Sequence, residues 1–587
     1  MKLSDYIVEY LVANGSTHAF GMSGGAAVHL FDSISRNPAM GLTCVAHEQS
    51  ASMAADAFSR LSGKPGVCVV TSGPGATNLL TGVCCSYYDS VATIMLTGQV
   101  ATFRLKGDRA VRQVGFQETD ILSIFSQVSK HVSQLNVPDS IQRMLDEAFG
   151  AALGGRPGPA VLDIPDDLQR ADVDPWAPGL SMSAAPVVDL VLEKKLNGLF
   201  DLLEQAKQPV IVLGGGLTTP DVIQSARAFL SKLALPVLQT WAGLDVLPAD
   251  WPLRYGTFGV YAPRLGNFII QNADLIVCLG TRLSQNLTGG MLDQFAPNAH
   301  IVMVDVDGAE MDKFDGKGIK ISTRVQTRLD HFLVAAQPFA EEYTRPDIQR
   351  WIERIEGWRC NLPDDCPTVP DDDAGYVDAV HFVRELSAHL SEDEIILADT
   401  GGTLTWTCNH IRLKSGQRLL SAWNFTPMGY ALPASLGAHA AQPNRPLTCI
   451  IGDGGLQLCL GELATILRYK VPLKIILFNN HCHGIQKQTL ETWLEGNYVG
   501  VDSASGLGFS DFPAVAGAMG FPVVTISRMD DMAAKLREVY SHVGPVFCNV
   551  EINPDQKLRP FLKFGHALDD QFPPLAPGVA VAMFHDR

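Results

Sequence analysis

Short runs of consecutive apolar residues, separated by stretches of helical period, constrain the folding of this chain more than any other feature. Val67-Cys68-Val69-Val70, Val210-Ile211-Val212-Leu213, Leu275–Leu279, Ile301-Val302-Met303-Val304, Cys449-Ile450-Ile451 and Ile475-Ile476-Leu477-Phe478 carry no polar residue at all. A strand with one face in water alternates. A strand apolar at every position is covered on both faces, as in parallel sheets flanked by helical crossovers. Two stretches interrupt the rhythm with proline and acid, and both read as linkers. One runs from Asp174-Pro175-Trp176 to Ala185-Pro186, the other from Pro346 through Pro363 to Asp371-Asp372-Asp373. With 587 residues, and roughly 100–200 residues per domain, the expectation is an α/β protein of three open parallel-sheet domains, at 1–170, 188–338 and 376–554. After Pro554 the periodicity ends, so 555–587 reads as a C-terminal tail packed on the surface.

Charge and cysteine content narrow the function classes. The chain has 45 basic and 62 acidic residues, a net of −17, which argues against nucleic acid or an anionic membrane as partner. Its 12 cysteines are scattered and form no paired CxxC spacing, as expected of reduced thiols in the cytoplasm. Met1-Lys2-Leu3-Ser4-Asp5 opens no apolar signal core, and no run of about 18 apolar residues suggests a membrane span.

Gly452-Asp453-Gly454-Gly455 follows one apolar run and precedes an expected helix over 458–469; a second run, 473–478, ends in Asn479-Asn480. Glycine at a strand-to-helix turn lets backbone N–H groups approach a phosphate. A carboxylate and an amide oxygen at neighbouring strand ends, with diphosphate oxygens, make a hard-oxygen site suited to Mg²⁺. A lone Gly-Asp-Gly is also an ordinary tight turn. The 24 residues between Gly454 and Asn479, containing the right elements, favour the site. His481 and His483 flank it and read as local decoration rather than Zn²⁺ ligands.

With these motifs the chain resembles the thiamine diphosphate (ThDP) enzymes, whose signature is GDG followed about two dozen residues later by NN. The resemblance implies that Asp453, Asn480 and the backbone carbonyl of Cys482 hold Mg²⁺ on the diphosphate. It also implies ThDP contacts from Gly24, Gly25, Thr71, Pro74, Asn78, Gly401, Gly402, Met428, Gly452, Gly454, Gly455, His483, Gly484 and Ile485. Met428 lies in Met428-Gly429-Tyr430-Ala431-Leu432-Pro433, where the family's methionine wedges under the cofactor; a methionine in an apolar setting can equally be core filler.

Glu48, in His47-Glu48-Gln49 between a short strand over 42–46 and a helix over 50–60, reads by itself as a helix cap or surface charge. The resemblance gives it another role, bonding the aminopyrimidine so that the cofactor deprotonates its own reactive carbon, which needs a buried carboxyl able to share a proton. Gly21-Met22-Ser23-Gly24-Gly25, Thr71-Ser72-Gly73-Pro74-Gly75-Ala76-Thr77-Asn78 and Gly98-Gln99 are similar to the pyrimidine-binding domain of acetolactate (acetohydroxyacid) synthases, and the resemblance extends through about Pro554. It implies a homodimer or homotetramer in which Glu48 and Asp453 serve one cofactor from different chains.

In this family pyruvate is decarboxylated and the protein decides what receives the two-carbon unit. The four histidines before residue 150, His18, His29, His47 and His131, include no adjacent pair, which weakens a simple decarboxylase. Phe116-Gln117-Glu118 and Lys130 instead resemble the synthase segment near the reacting centre. Gln117 is expected in polar contact there, Phe116 on the pocket wall, and Gly25, Lys130, Ile485 and Thr489 on the substrate side. A helix-cap glutamine and a core phenylalanine remain open at this point. Synthases that favour 2-ketobutyrate carry tryptophan where Thr489 stands; the smaller residue opens space and argues against a simple keto acid as acceptor. The tail Pro560-Phe561-Leu562-Lys563-Phe564-Gly565-His566 is similar to synthase-like proteins of bacterial surface-polysaccharide pathways, a resemblance that implies a keto sugar or another larger carbonyl as acceptor.

Gly214-Gly215-Gly216, Gly280-Thr281-Arg282 and Asp305 sit at ends of apolar runs, where nucleotides bind in open sheets. Tight connections would look the same. The resemblance implies FAD held structurally by Gly214, Gly215, Gly216, Gly280, Arg282 and Asp305. A flavin-dependent pyruvate oxidase, a non-oxidative 2-keto acid decarboxylase or lyase, and a non-catalytic relative are the competing functions.

Overall fold

The computed structural model describes residues 1–175, 190–363 and 375–579. Three six-stranded sheets succeed one another along the chain. The first holds β1 (His18–Met22), β2 (Gly41–Cys44), β3 (Gly66–Val70), β4 (Thr93–Gln99), β5 (His131–Gln134) and β6 (Pro159–Pro165). The middle one holds β7 (Pro209–Leu213), β8 (Val237–Gln239), β9 (Arg254–Thr257), β10 (Leu275–Leu279), β11 (His300–Asp305) and β12 (Ile321–Gln326). The last holds β13 (Ile395–Ala398), β14 (Arg418–Leu420), β15 (Leu447–Gly452), β16 (Leu473–Asn479), β17 (Val523–Ile526) and β18 (Val546–Glu551). Every neighbouring pair in these sheets is parallel. β3, β7 and β10 are buried along their whole length, as their unbroken apolar character requires.

Strand order explains why the glycine motifs matter. The middle sheet runs β12-β11-β10-β7-β8-β9, the doubly wound order of dinucleotide-binding folds, which reverses between β7 and β10. The outer sheets run β2-β1-β3-β4-β6-β5 and β14-β13-β15-β16-β18-β17. These two orders are the same, and each reverses between its first and third strands. A crevice opens at such a reversal because successive crossovers leave in opposite directions. The turns after β1, β3, β7, β10, β13 and β15 all carry glycine motifs noted above.

The two outer domains pack through equivalent helices. Glu48–Ser62 follows β2, and Ala431–Ala441 follows β14. The two touch backbone to backbone: a β-carbon on Gly437 would lie 1.8 Å from the Ala54 carbonyl oxygen. Beside them, buried Asp56 accepts hydrogen bonds from Arg60 (2.6 Å), Ser86 (2.9 Å) and the Tyr430 hydroxyl (2.5 Å), and Arg60 continues to Asp89 at 2.7 Å. Asp89 in turn accepts from the Trp423 and Asn424 N–H groups at 2.8 and 3.0 Å. A buried charge is tolerable only with partners this complete. Gly437→Ala should destabilise the protein by about 3 kcal/mol through overpacking, read as a lower melting temperature. Gly517→Ala is the control, because its added methyl would meet only Val523 at 3.8 Å.

Two expectations are corrected. The stretch read as a linker from Pro346 contains the helix Gln349–Asn361, whose Trp351, Ile355 and Trp358 are buried in the middle domain. Their spacing of four and three residues is helical, and the flanking prolines and acids masked it. The helix expected over 458–469 is instead two, Asp453–Cys459 and Glu462–Tyr469. It starts earlier, directly after Gly452, with Asp453 in the first turn where the helix dipole favours a carboxylate, and it breaks at Gly461, where the chain closes on Ala46. The rest of both proline-rich stretches, 176–189 and 364–374, lies outside the described residues, as does 580–587.

The described tail doubles back onto the middle domain. Phe561–Leu562 and Gln571–Phe572 pair antiparallel, the Leu562 N–H donates to the Val260 carbonyl at 2.8 Å, and Asn267 donates to the Leu568 carbonyl at 3.0 Å. No helix among the described residues is long and apolar enough to cross a membrane.

Candidate active site

In the first domain, β1 and β3 are neighbours, so Ser23-Gly24-Gly25 and Thr71-Ser72-Gly73 emerge side by side. A β-carbon on Gly24 would lie 2.6 Å from the Thr71 side chain, whereas one on Gly25 would meet nothing within 4 Å. Gly24 is therefore needed for packing, and Gly25 faces open space. Glu48 begins its helix directly after the cap His47, where the helix dipole favours a carboxylate. It is buried, and Asn78 Nδ2 donates to its Oε2 at 2.9 Å. Pro74 starts the short helix Pro74–Thr77, and a β-carbon on its neighbour Gly75 would lie 3.5 Å from Glu48 Oε1. Gln117 has a left-handed φ of 63° and its carbonyl abuts Gly73, where a β-carbon would lie 2.9 Å away. Phe116 projects into the open, 83% exposed. Lys130 is not brought to this cluster. It precedes β5 at the amino edge of the sheet, where its N–H donates to Pro159 and its ammonium to the Gly154 carbonyl.

In the third domain β13 and β15 are neighbours, and the turns 399–402 and 452–455 lie together. Asp399, which the sequence did not single out, organises them. Burial raises its carboxyl to about 6, against the pull of the Gly429 and Tyr430 N–H groups, which it accepts at 2.9 and 3.0 Å. A β-carbon on Gly455 would lie 1.9 Å from Asp399 Oδ2, so only glycine fits there. One on Gly454 would lie 2.6 Å from His483 Nε2 and 2.9 Å from Met428 Cε. Met428 and His483 thus wall a cradle whose floor must lack a side chain. Gly452 faces Thr403 and Gly401 faces Ile485, at 3.1 and 3.9 Å from a β-carbon, while Gly402 packs on Trp406. Gly484 opens the helix Gly484–Trp493, on which the Thr489 hydroxyl folds back to the Ile485 carbonyl at 2.9 Å.

Three oxygens converge at the end of this crevice. The Asn480 side-chain amide lies 2.8 Å from the Cys482 carbonyl oxygen and 3.3 Å from Asp453 Oδ2. With its nitrogen turned to them, exchanged for the oxygen, the amide donates to both. A divalent cation would satisfy all three oxygens without the exchange, since adjacent oxygens around an octahedral Mg²⁺ with about 2.1 Å bonds lie about 3.0 Å apart. Burial lifts the Asp453 carboxyl to about 7, and hydrogen bonds from Gly454 and His481 only partly oppose it. A cation there would reverse that penalty. The flanking histidines diverge: His481 turns to Glu551 at 3.1 Å, and His483 lies edge-on to Phe509.

In the middle domain a cavity of 460 Å³ opens at the reversal between β7 and β10. Gly215, Gly216, Gly280, Arg282 and Asp305 line it, joined by Arg156 and Trp423 of the flanking domains. Gly214 lies behind the wall, where a β-carbon would strike the Gly280 carbonyl at 2.1 Å. Arg282 donates to Glu310 at 2.6 Å, and so does Arg156, which also reaches Asp307 at 3.0 Å. Burial alone would raise Glu310, but hydrogen bonds from Lys313 and Arg156 outweigh it and hold the carboxyl at about 2. Burial raises Asp305.

Three family profiles match this architecture in order. They are the thiamine pyrophosphate enzyme N-terminal TPP binding domain over residues 1–124, the central domain over 196–332, and the C-terminal TPP binding domain over 399–550. The chain belongs to the thiamine pyrophosphate enzymes, in the acetolactate synthase-like group of ThDP-dependent carboligases. It is 30% identical to the acetolactate synthase isozyme 2 large subunit of Escherichia coli K12, over 96% of this chain and 98% of that protein. It is 32% identical to the isozyme 1 large subunit of the same organism, covering 96% of each. A probable acetolactate synthase large subunit of Methanocaldococcus jannaschii is 33% identical, over 95% of this chain and 93% of the relative.

Proposed function

We propose that this enzyme decarboxylates pyruvate and joins the two-carbon unit to a carbonyl acceptor larger than a simple 2-keto acid, using ThDP and Mg²⁺. The convergence of Asp453, Asn480 and the Cys482 carbonyl beside the Met428–Gly454 cradle carries this reading. Those three oxygens would hold Mg²⁺, and Gly452 and Gly454, at the start of the helix Asp453–Cys459, would take the diphosphate. When bound, ThDP supplies a carbon nucleophile and an electron sink for decarboxylation. Met428, at the wall of the cradle over Gly454, would support the cofactor. Glu48, buried and held by Asn78, takes up and returns a proton at its carboxyl. Gln117 offers its amide to the reacting centre, and exposed Phe116 closes over it in the assembled enzyme.

Each crevice holds only part of these groups, Glu48 in one and Asp453 in the other, which supports a homodimer or homotetramer with shared sites. The cavity between β7 and β10 suits a structural FAD, with Arg282 and Asp305 at its wall. Thr489, short and folded back on its own helix, supports a larger acceptor than tryptophan at that position would admit.

The test is proton NMR of the protein with pyruvate, ThDP, Mg²⁺ and FAD. Acetolactate or acetoin would establish pyruvate-driven carboligation. Acetaldehyde would mean a decarboxylase, and acetate with peroxide an oxidase. Pyruvate left unchanged even with added aldehydes would refute the donor. Flavin absorbance released on denaturing the purified protein should be present, and its absence after growth with riboflavin would remove FAD from the reading.

A further inference from the structure

The loop from β4 to Gln117 differs in charge from the rest of the chain. Arg104, Lys106, Arg109 and Arg112 face one carboxylate, Asp108, within nine residues of a protein whose net charge is −17. Arg104, Arg109 and Arg112 are exposed and Lys106 is half-buried. None of the four forms an ion pair among the described residues. Arg109 donates only to the Leu105 and Lys106 carbonyls, at 3.0 and 3.4 Å, and Arg104 lies 5.4 Å from the centre of the Phe103 ring. Lys106 acts only through space, on Glu118 and Asp120.

The loop is firmly built. At its start, Thr102 bonds Asp167 through N–H and hydroxyl at 2.9 and 2.6 Å. At its base, the buried Glu118 carboxylate accepts the N–H groups of Lys106, Val114 and Gly115, the last two at 2.8 and 3.2 Å. One side chain therefore pins both ends, and the tip over 107–113 stands off the carboxyl edge of the sheet. The returning limb of the loop leads through Phe116 to Gln117, which abuts Gly73 in the same crevice as Glu48.

Four cations within nine residues, without an ion pair among the described residues, give the loop a local positive potential that favours an anion. We propose that the loop is a rim that binds the phosphate or diphosphate of a phosphate-bearing carbonyl acceptor, with Arg109 and Arg112 as its principal contacts. The proposal rests on the carboligase reading above. The carboxylate of a simple 2-keto acid would need one cation. Four match a group of two or more charges, and arginine's fork of donors fits phosphate oxygens. The chemistry balances without altering the phosphate. Pyruvate's carboxylate leaves as CO₂, a carbon–carbon bond forms to the acceptor carbonyl carbon, and its oxygen takes one proton from solvent to become a hydroxyl.

The test uses the full chain loaded with ThDP, Mg²⁺ and FAD, beside the variant Arg109→Gln/Arg112→Gln. Uridine diphosphate is the binding probe, measured by calorimetry. Glyceraldehyde 3-phosphate and glyceraldehyde, with pyruvate as donor, are the matched acceptors. The variant should bind uridine diphosphate about tenfold or more weakly, and raised salt should weaken binding to the unaltered chain. The kcat/KM ratio of phosphorylated to neutral aldehyde should be about ten or more, and should fall towards one in the variant. The proposal is overturned if uridine diphosphate fails to bind, if it binds both proteins alike, or if turnover proceeds with a ratio near one in the unaltered chain. A variant that dissociates into smaller assemblies while binding uridine diphosphate normally would also overturn it, assigning the cations to contacts between copies. Pyruvate left unconsumed in the presence of either aldehyde would refute the carboligase reading, and the binding measurement would still decide the rim.

Discussion

A Glu48→Gln variant should retain ThDP and Mg²⁺ and lose turnover by about 10²- to 10⁴-fold. Glutamine has the volume of glutamate and its carbonyl can still accept from Asn78, now at 2.9 Å, so the fold and the crevice should survive. It cannot accept a proton, and proton exchange is the function assigned to this buried carboxyl. Calorimetry reads cofactor retention, and CO₂ release from pyruvate reads turnover. Unchanged turnover would remove the mechanistic role of Glu48, whereas loss of ThDP binding would make it a binding group.

The second large effect is expected at the cation site. Asp453→Ala removes the only charged member of the three converging oxygens, leaving an amide and a backbone carbonyl. Affinity for Mg²⁺ should fall by about 100-fold or more, and ThDP should wash out on gel filtration. Equilibrium dialysis with Mg²⁺ and cofactor absorbance in the protein peak check both. Mg²⁺ and ThDP held as tightly as before would place the metal elsewhere. Asp453 is buried beside glycine backbone, so circular dichroism of the cofactor-free variant should match the unaltered chain and separate lost ligation from lost folding.

The legible parts of the fold were those written in consecutive residues. Strands apolar at every position announced covered parallel sheets, and glycine motifs at their ends coincided with the points where strand order reverses. What needed three dimensions was less readable. Asp399 carries no local signature, yet it seats Gly429, Tyr430 and Gly455 around one carboxylate. Lys130 follows the site segment in sequence, but the chain crosses the sheet before reaching it and leaves it at the opposite edge. Arg282 stands at a nucleotide-type strand end, but its guanidinium goes to Glu310, which lies on a different element. The helix Gln349–Asn361 was hidden because proline and acid on either side dominate any window that covers it. The positive loop over 104–112 escaped notice for a related reason, since a chain-wide charge balance averages it away.

The contact between Gly437 and Ala54 has a mechanical consequence. Glu48 is the first residue of one helix of that pair, and Met428-Gly429-Tyr430 leads directly into the other. The two helices meet without intervening side chains at that point and are locked by Asp56, Arg60 and Tyr430. They therefore act as one stiff unit that carries, at the start of each helix, a working part of a different crevice. A shift of the first helix that moves Glu48 must therefore also move the segment carrying Met428, so the two crevices are mechanically coupled through a backbone contact and not through a loop.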